Sequence, residues 1–128
     1  MKIEHIAIWV RNLNAQISFY QKWFRAIPGD IYQNPAKKFT SCFLTLNGEA
    51  RLELMHHEDI ADKPEFGKEI FGWVHLAISV GSKTDVDFLT QEMEQAGIKI
   101  VSRPRTTGDG YYESVIRDPE GNLVEITI

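Results

Sequence analysis

Several things are scarce in this chain of 128 residues, and each scarcity excludes something. A single cysteine, Cys42, rules out an internal disulfide and any zinc site built from several thiolates. No apolar run approaches the roughly 18 residues that a membrane-spanning helix needs. Positive charge is not in excess. With 14 Lys and Arg against 18 Asp and Glu, the formal net charge is −4, and a broad surface for nucleic acid or anionic lipid is not expected. G-x-S-x-G, a phosphate-cradling glycine loop and G-x-G-x-x-G are all missing, so nothing indicates a serine nucleophile or a nucleotide site. The opening M-K-I-E-H-I alternates instead of forming an apolar block, which predicts no signal peptide and a reducing, cytoplasmic location.

What is present is an ordinary globular composition, 43% hydrophobic and 25% charged. A chain this long buries about two thirds of its unfolded surface and folds without disulfides. Its most informative feature is a repeat. H-I-A-I-W-V stands at residues 5–10, and H-L-A-I-S-V stands at residues 75–80.

Around each copy the periodicities follow one order. Residues 2–10 alternate as a strand, with Ile6, Ile8 and Val10 on one face and His5, Ala7 and Trp9 on the other. Asn12 or Asn14 caps a helix over 13–26, whose apolar positions are Ile17, Phe19, Tyr20, Trp23, Phe24 and Ile27, and Pro28-Gly29 is its expected stop. The tract 29–38 lacks a clear period but has room for a short strand over 29–34. Strands are predicted over 39–46, where Cys42 reads as a buried small apolar residue, and over 50–55, with a tight turn at Asn47-Gly48 between them. The second half restarts with a strand over 73–80. A helix over 83–96 follows, with Val86, Leu89 and Met93 inward and Gly97 as its stop. Strands over 98–103, 111–117 and 122–128 complete it. The expected class is therefore α+β: one domain over 1–128 made of two βαβββ modules, 1–56 and 72–128, joined by a charged linker over 57–71.

The repeat also places chemistry. R-L-E-L-M carries Glu53 on the last strand of the first module, and L-V-E-I-T-I carries Glu125 on the last strand of the second. Period-two alternation sets His5, Glu53, His75 and Glu125 opposite the aliphatic faces of their strands, which the helices should cover. Two imidazoles and two carboxylates on the other faces suit a divalent transition metal, whereas carboxylates buried together without a cation are costly. His56 and His57, at the charged loop entry H-H-E-D, have no counterpart in the second module and read as surface residues.

At these residues the sequence resembles the vicinal oxygen chelate superfamily, which includes glyoxalase I, bleomycin-resistance proteins, fosfomycin-resistance enzymes, extradiol dioxygenases and methylmalonyl-CoA epimerase. The resemblance covers essentially the whole chain. It rests on H-I-A-I-W-V with the following S-F-Y, R-L-E-L-M, H-L-A-I-S-V, and S-V-I-R-D-P-E-G-N-L-V-E-I. It implies paired βαβββ modules forming an incomplete mixed β-barrel around a metal. It also implies a homodimer whose sites are shared between chains, as in the small bacterial glyoxalases. The ligand set implied for glyoxalase I of the bacterial type, two His and two Glu, is reproduced by His5, Glu53, His75 and Glu125. By the same resemblance the ion is nickel, zinc or cobalt, Glu125 is the principal base and Glu53 the opposing carboxylate.

The expected activity is therefore that of a glyoxalase I-like (lactoylglutathione lyase-like) lyase or isomerase, working by enediolate proton transfer on an α-oxoaldehyde thiohemiacetal. One departure bears on the substrate. Glutathione-using members carry Arg four residues after the first ligand, where this chain has Trp9, and an indole offers neither charge nor a bidentate fork. Trp9 is thus either an apolar wall of the substrate site or a core residue. Arg51, on the strand face of Glu53, leads Arg11, Arg103 and Arg105 as a candidate anion contact. The alternatives are a related epimerase on another acyl or thiol substrate, a non-catalytic drug-binding protein with Trp9 and Tyr111 or Tyr112 as stacking walls, and an iron dioxygenase.

Overall fold

The alternation in H-I-A-I-W becomes β1 (His5–Trp9), and the first module continues with α1 (Leu13–Phe24), β2 (Ile27–Asn34), β3 (Phe39–Thr45) and β4 (Arg51–His57). The second module repeats the order with β5 (His75–Ser79), α2 (Lys83–Gln95), β6 (Ile100–Thr106), β7 (Tyr112–Arg117) and β8 (Leu123–Thr127). These elements come from a computed structural model that describes residues 3–48, 50–61, 72–108 and 110–128. Internal contacts divide the chain into two units, Met1–Phe66 and Gly67–Ile128. No helix among the described residues is long and apolar enough to cross a membrane.

Each unit holds one mixed four-stranded sheet, in the orders β1-β4-β3-β2 and β5-β8-β7-β6. The first and last strands of each module pair in parallel, and the rest of each sheet is antiparallel. The α+β class and the doubled βαβββ order are those expected from the periodicities.

The helices cover the aliphatic faces. On the helix face of the first sheet Cys42, Leu44, Leu52 and Leu54 are buried, with Phe19 and Tyr20 of α1. On that of the second, Ile116, Val124 and Ile126 are buried, with Val86 and Met93 of α2. Each large aliphatic or aromatic side chain so buried contributes about 1.5–3 kcal/mol. Asn12, not Asn14, is the N-cap of α1, accepting from the Ala15 amide at 3.0 Å. Gly97 ends α2 as expected. At φ 82° it lets Ile98 N–H reach the Met93 carbonyl at 2.9 Å while its own N–H reaches Glu94 at 3.0 Å.

Three local expectations need correction. Helix α1 stops at Phe24, where Arg25 turns left-handed with φ 54°, so Ile27 opens β2 instead of extending the helical face. Pro28-Gly29 lies inside β2, and pairing with β3 shifts register between Pro28 and Ile31. That bulge erases the period-two signal over this tract. Proline is tolerated there because β2 is an edge strand, and Pro104 occupies the equivalent edge strand β6 beside a similar irregularity. Finally, β4 runs on through His56 and His57, which pair with Thr40 and Phe39. Of the expected linker over 57–71, residues 62–71 lie outside the described residues.

Candidate functional site

Register decides what meets what. Parallel pairing sets Ala7 opposite Glu53 and, at the same rung of the second sheet, Ala77 opposite Glu125. Each Glu therefore lies diagonally from the His two residues earlier on the neighbouring strand, on the face away from the helix. His5 Nε2 stands 3.8 Å from Glu53 Oε2, and His75 Nε2 stands 3.4 Å from Glu125 Oε2. The two pairs are environmental twins: the imidazoles are 40% and 41% exposed and the carboxylates 15% and 14%.

The spacing suits a shared cation. Bonds of about 2.0–2.2 Å to nitrogen and oxygen at a tetrahedral centre hold two ligand atoms roughly 3.4 Å apart. The donor set, neutral imidazole and carboxylate oxygen, is one that zinc, nickel and cobalt accept. Among the described residues, however, no group of three or more His, Cys, Asp or Glu side chains is placed to hold a metal ion. Each unit by itself brings together one His and one Glu.

The surroundings of the two pairs differ. His5 Nδ1 is hydrogen-bonded to the Glu4 carboxylate, whose Oε1 also accepts from Arg51 Nε at 2.8 Å and from the Arg51 terminal nitrogen. The His5 hydrogen bond, with Arg51 next, holds the Glu4 carboxyl below the ordinary carboxylate range. The Arg51 guanidinium in turn stacks over Phe43 at 4.2 Å, and His5 meets the same ring edge-on at 5.3 Å. At the matching positions the second module has Val74, Leu123 and Val115.

The remaining candidates are dispersed. Trp9 is 48% exposed on the His5 face of β1 and stands edge-on to Phe39 at 6.1 Å, with Tyr32 beside Phe39 at 6.2 Å. Trp9, Phe39 and Tyr32 so make an aromatic row. Arg103 is engaged by Glu94 at 3.0 Å. Arg105 donates to Ser102 at 2.7 Å and lies 3.5 Å from Glu113. Tyr111 is exposed, whereas the Tyr112 hydroxyl donates to Asp87 of α2 at 2.6 Å, which pushes the phenol's pKa up. His56 is not a surface residue: half-buried on the helix face, its Nδ1 meets the Val10 carbonyl at 2.9 Å. His57 accepts from the Asp59 amide at 3.1 Å. Cys42 is buried as expected, and burial pushes its thiol up.

Glu4, Phe43, Phe39 and Tyr32 were not anticipated. Only Glu4 left a trace in the sequence, as a charge beside His5 where the residue before His75 is Val74. The aromatics come together through strand register, which single-strand periodicity does not carry.

Residues 2–126 match the Glyoxalase/Bleomycin resistance protein/Dioxygenase superfamily, and the chain belongs to it. The chain is 26% identical over 127 residues to the uncharacterized protein YqjT of Bacillus subtilis (strain 168), covering 97% of this chain and 96% of that one. Its fold is that of a glyoxylase/bleomycin resistance protein/dioxygenase domain from Frankia sp. EAN1pec, with a TM-score of 0.84, 20% identity, and 100% and 97% of the two chains covered. It is also similar to a glyoxalase I mutant from Zea mays, with a TM-score of 0.79 and 25% identity over 98% of this chain. The chain spans 44% of that maize protein's length.

Proposed function

We propose that the chain is a metal-dependent lyase or isomerase of the glyoxalase I type, moving a proton between adjacent carbons of an α-oxoaldehyde thiohemiacetal. The observation that carries this reading is the twin arrangement of an imidazole Nε2 and a carboxylate Oε2 at 3.8 and 3.4 Å, one pair in each module. His5, Glu53, His75 and Glu125 hold one divalent ion per site, nickel, zinc or cobalt. When bound, that ion supplies Lewis acidity at the substrate's vicinal oxygens.

Glu125 takes the proton from the hydroxyl-bearing carbon, the electron pair of that C–H bond passes into the enediolate double bond, the hydroxyl proton passes to the neighbouring carbonyl oxygen, and the abstracted proton returns to the neighbouring carbon to leave an α-hydroxy thioester. Glu53 is the opposing carboxylate. Trp9 forms an apolar wall of the substrate site and Arg51 stands at its edge. The site is completed from the two modules across a homodimer, and the protein works in the cytoplasm.

A second reading has its own support. Trp9 carries no charge and Arg51 is engaged by Glu4, which disfavours an anchor for the glutathione carboxylates and favours a related epimerase acting on another acyl or thiol-conjugated substrate. One experiment separates the two. The protein is purified without chelator, its metal content measured, and methylglyoxal isomerisation assayed with and without glutathione. Bound nickel, cobalt or zinc with glutathione-dependent turnover is expected on the first reading. Bound metal without such turnover moves the assignment to the second, and no metal after reconstitution overturns both.

A further inference from the structure

The two His–Glu pairs are alike in register, spacing and exposure but unlike in what stands behind the imidazole. Behind His5 is a carboxylate, Glu4, anchored by Arg51, which is itself seated on Phe43. An ionised carboxylate only accepts hydrogen bonds, so the contact places the ring proton of neutral His5 on Nδ1. The lone pair is then on Nε2, the atom that faces Glu53. A free imidazole has no such fixed choice, and histidines that bind metals are commonly set this way by a carboxylate. Phe43 adds a steric stop, meeting the His5 ring edge-on at 5.3 Å.

We infer that Glu4, clamped by Arg51, is a positioning residue that fixes the tautomer and ring orientation of His5 and so makes the first module the preorganised half of the metal centre. At the matching positions of the second module, Val74, Leu123 and Val115 offer no side-chain acceptor, clamp or aromatic stop. The inference rests on the reading of His5 as a metal ligand. It also gives Arg51 a definite task, holding Glu4, that competes with any contact to substrate.

The test uses the full chain and two readouts besides turnover. In the metal-free protein, long-range ¹H–¹⁵N correlations report the tautomer of each histidine at a pH where the imidazoles are neutral. His5 should be Nδ1-protonated, and Glu4→Ala should move it toward the mixture of a free imidazole. Glu4→Gln keeps an acceptor oxygen but loses the charge, and should fall between. Competition with a chromophoric chelator for zinc or nickel should then show roughly 10–100-fold weaker binding in Glu4→Ala. Metal uptake by the wild type with His5 tautomer and affinity unchanged in Glu4→Ala overturns this inference alone. A wild-type chain that takes up no divalent ion overturns the ligand assignment and this inference together.

Discussion

His75 and Glu125 face each other at 3.4 Å across the parallel β5–β8 pair, one rung apart on the face that α2 does not cover. A carboxylate at this position, 14% exposed, is shielded from bulk water yet open on one side, as a base acting on a bound carbon acid must be. Glu125→Gln should keep the shape and remove the basicity. Turnover should fall by about 10²–10⁴-fold while metal is still bound, though less tightly. Steady-state kinetics alongside metal analysis checks this, and undiminished turnover would exclude Glu125 as the base.

Trp9 offers a test of substrate class. It shares a strand face with His5, and a guanidinium at this position would supply the charge that glutathione users have there. If the chain accepts the glutathione thiohemiacetal, Trp9→Arg should lower its KM with little change in kcat. If the aromatic row formed with Phe39 and Tyr32 binds an apolar substrate instead, the same substitution should raise the KM for that substrate.

Cys42 should be chemically silent in the folded protein. Its thiol is buried on the helix face of β3 and its pKa is raised by burial, so little thiolate exists at neutral pH and reagents do not reach it. A chromogenic disulfide reagent should titrate one thiol rapidly in denaturant and slowly without it. Rapid reaction of the native chain would contradict the packing of β3 under α1.

Gln16 is buried on the sheet side of α1, and neither its Oε1 nor its Nε2 has a hydrogen-bond partner among the described residues. An unpaired amide in an apolar setting costs about 1–3 kcal/mol, and methionine fills a similar volume without the polar atoms. Gln16→Met should therefore raise the denaturant midpoint at constant m-value. A lower midpoint would show that the amide is satisfied in solution.

Much of this was readable along the chain. The doubled H-[IL]-A-I-x-V, the two helical stretches and the strands that close each module required only local information. Alternation alone placed Glu53 and Glu125 opposite Leu52, Leu54, Val124 and Ile126, because side chains on a strand must point to one face or the other. What failed was local in another sense. The bulge at Pro28-Gly29 destroyed the period that would have revealed β2, and the charged run around His56 and His57 concealed the end of β4.

By itself, then, the sequence determined the repeat, the α+β class and the membership of two His and two Glu on the faces turned from the helices. Those are properties of periodicity, and periodicity is written in neighbouring residues. The tertiary structure decided which atoms approach one another: Ala7 against Glu53 and Ala77 against Glu125, the aromatic row from Trp9 to Tyr32, and Glu4 gripped between His5 and Arg51. These contacts depend on strand order and register, where a slip of one residue turns every side chain to the opposite face.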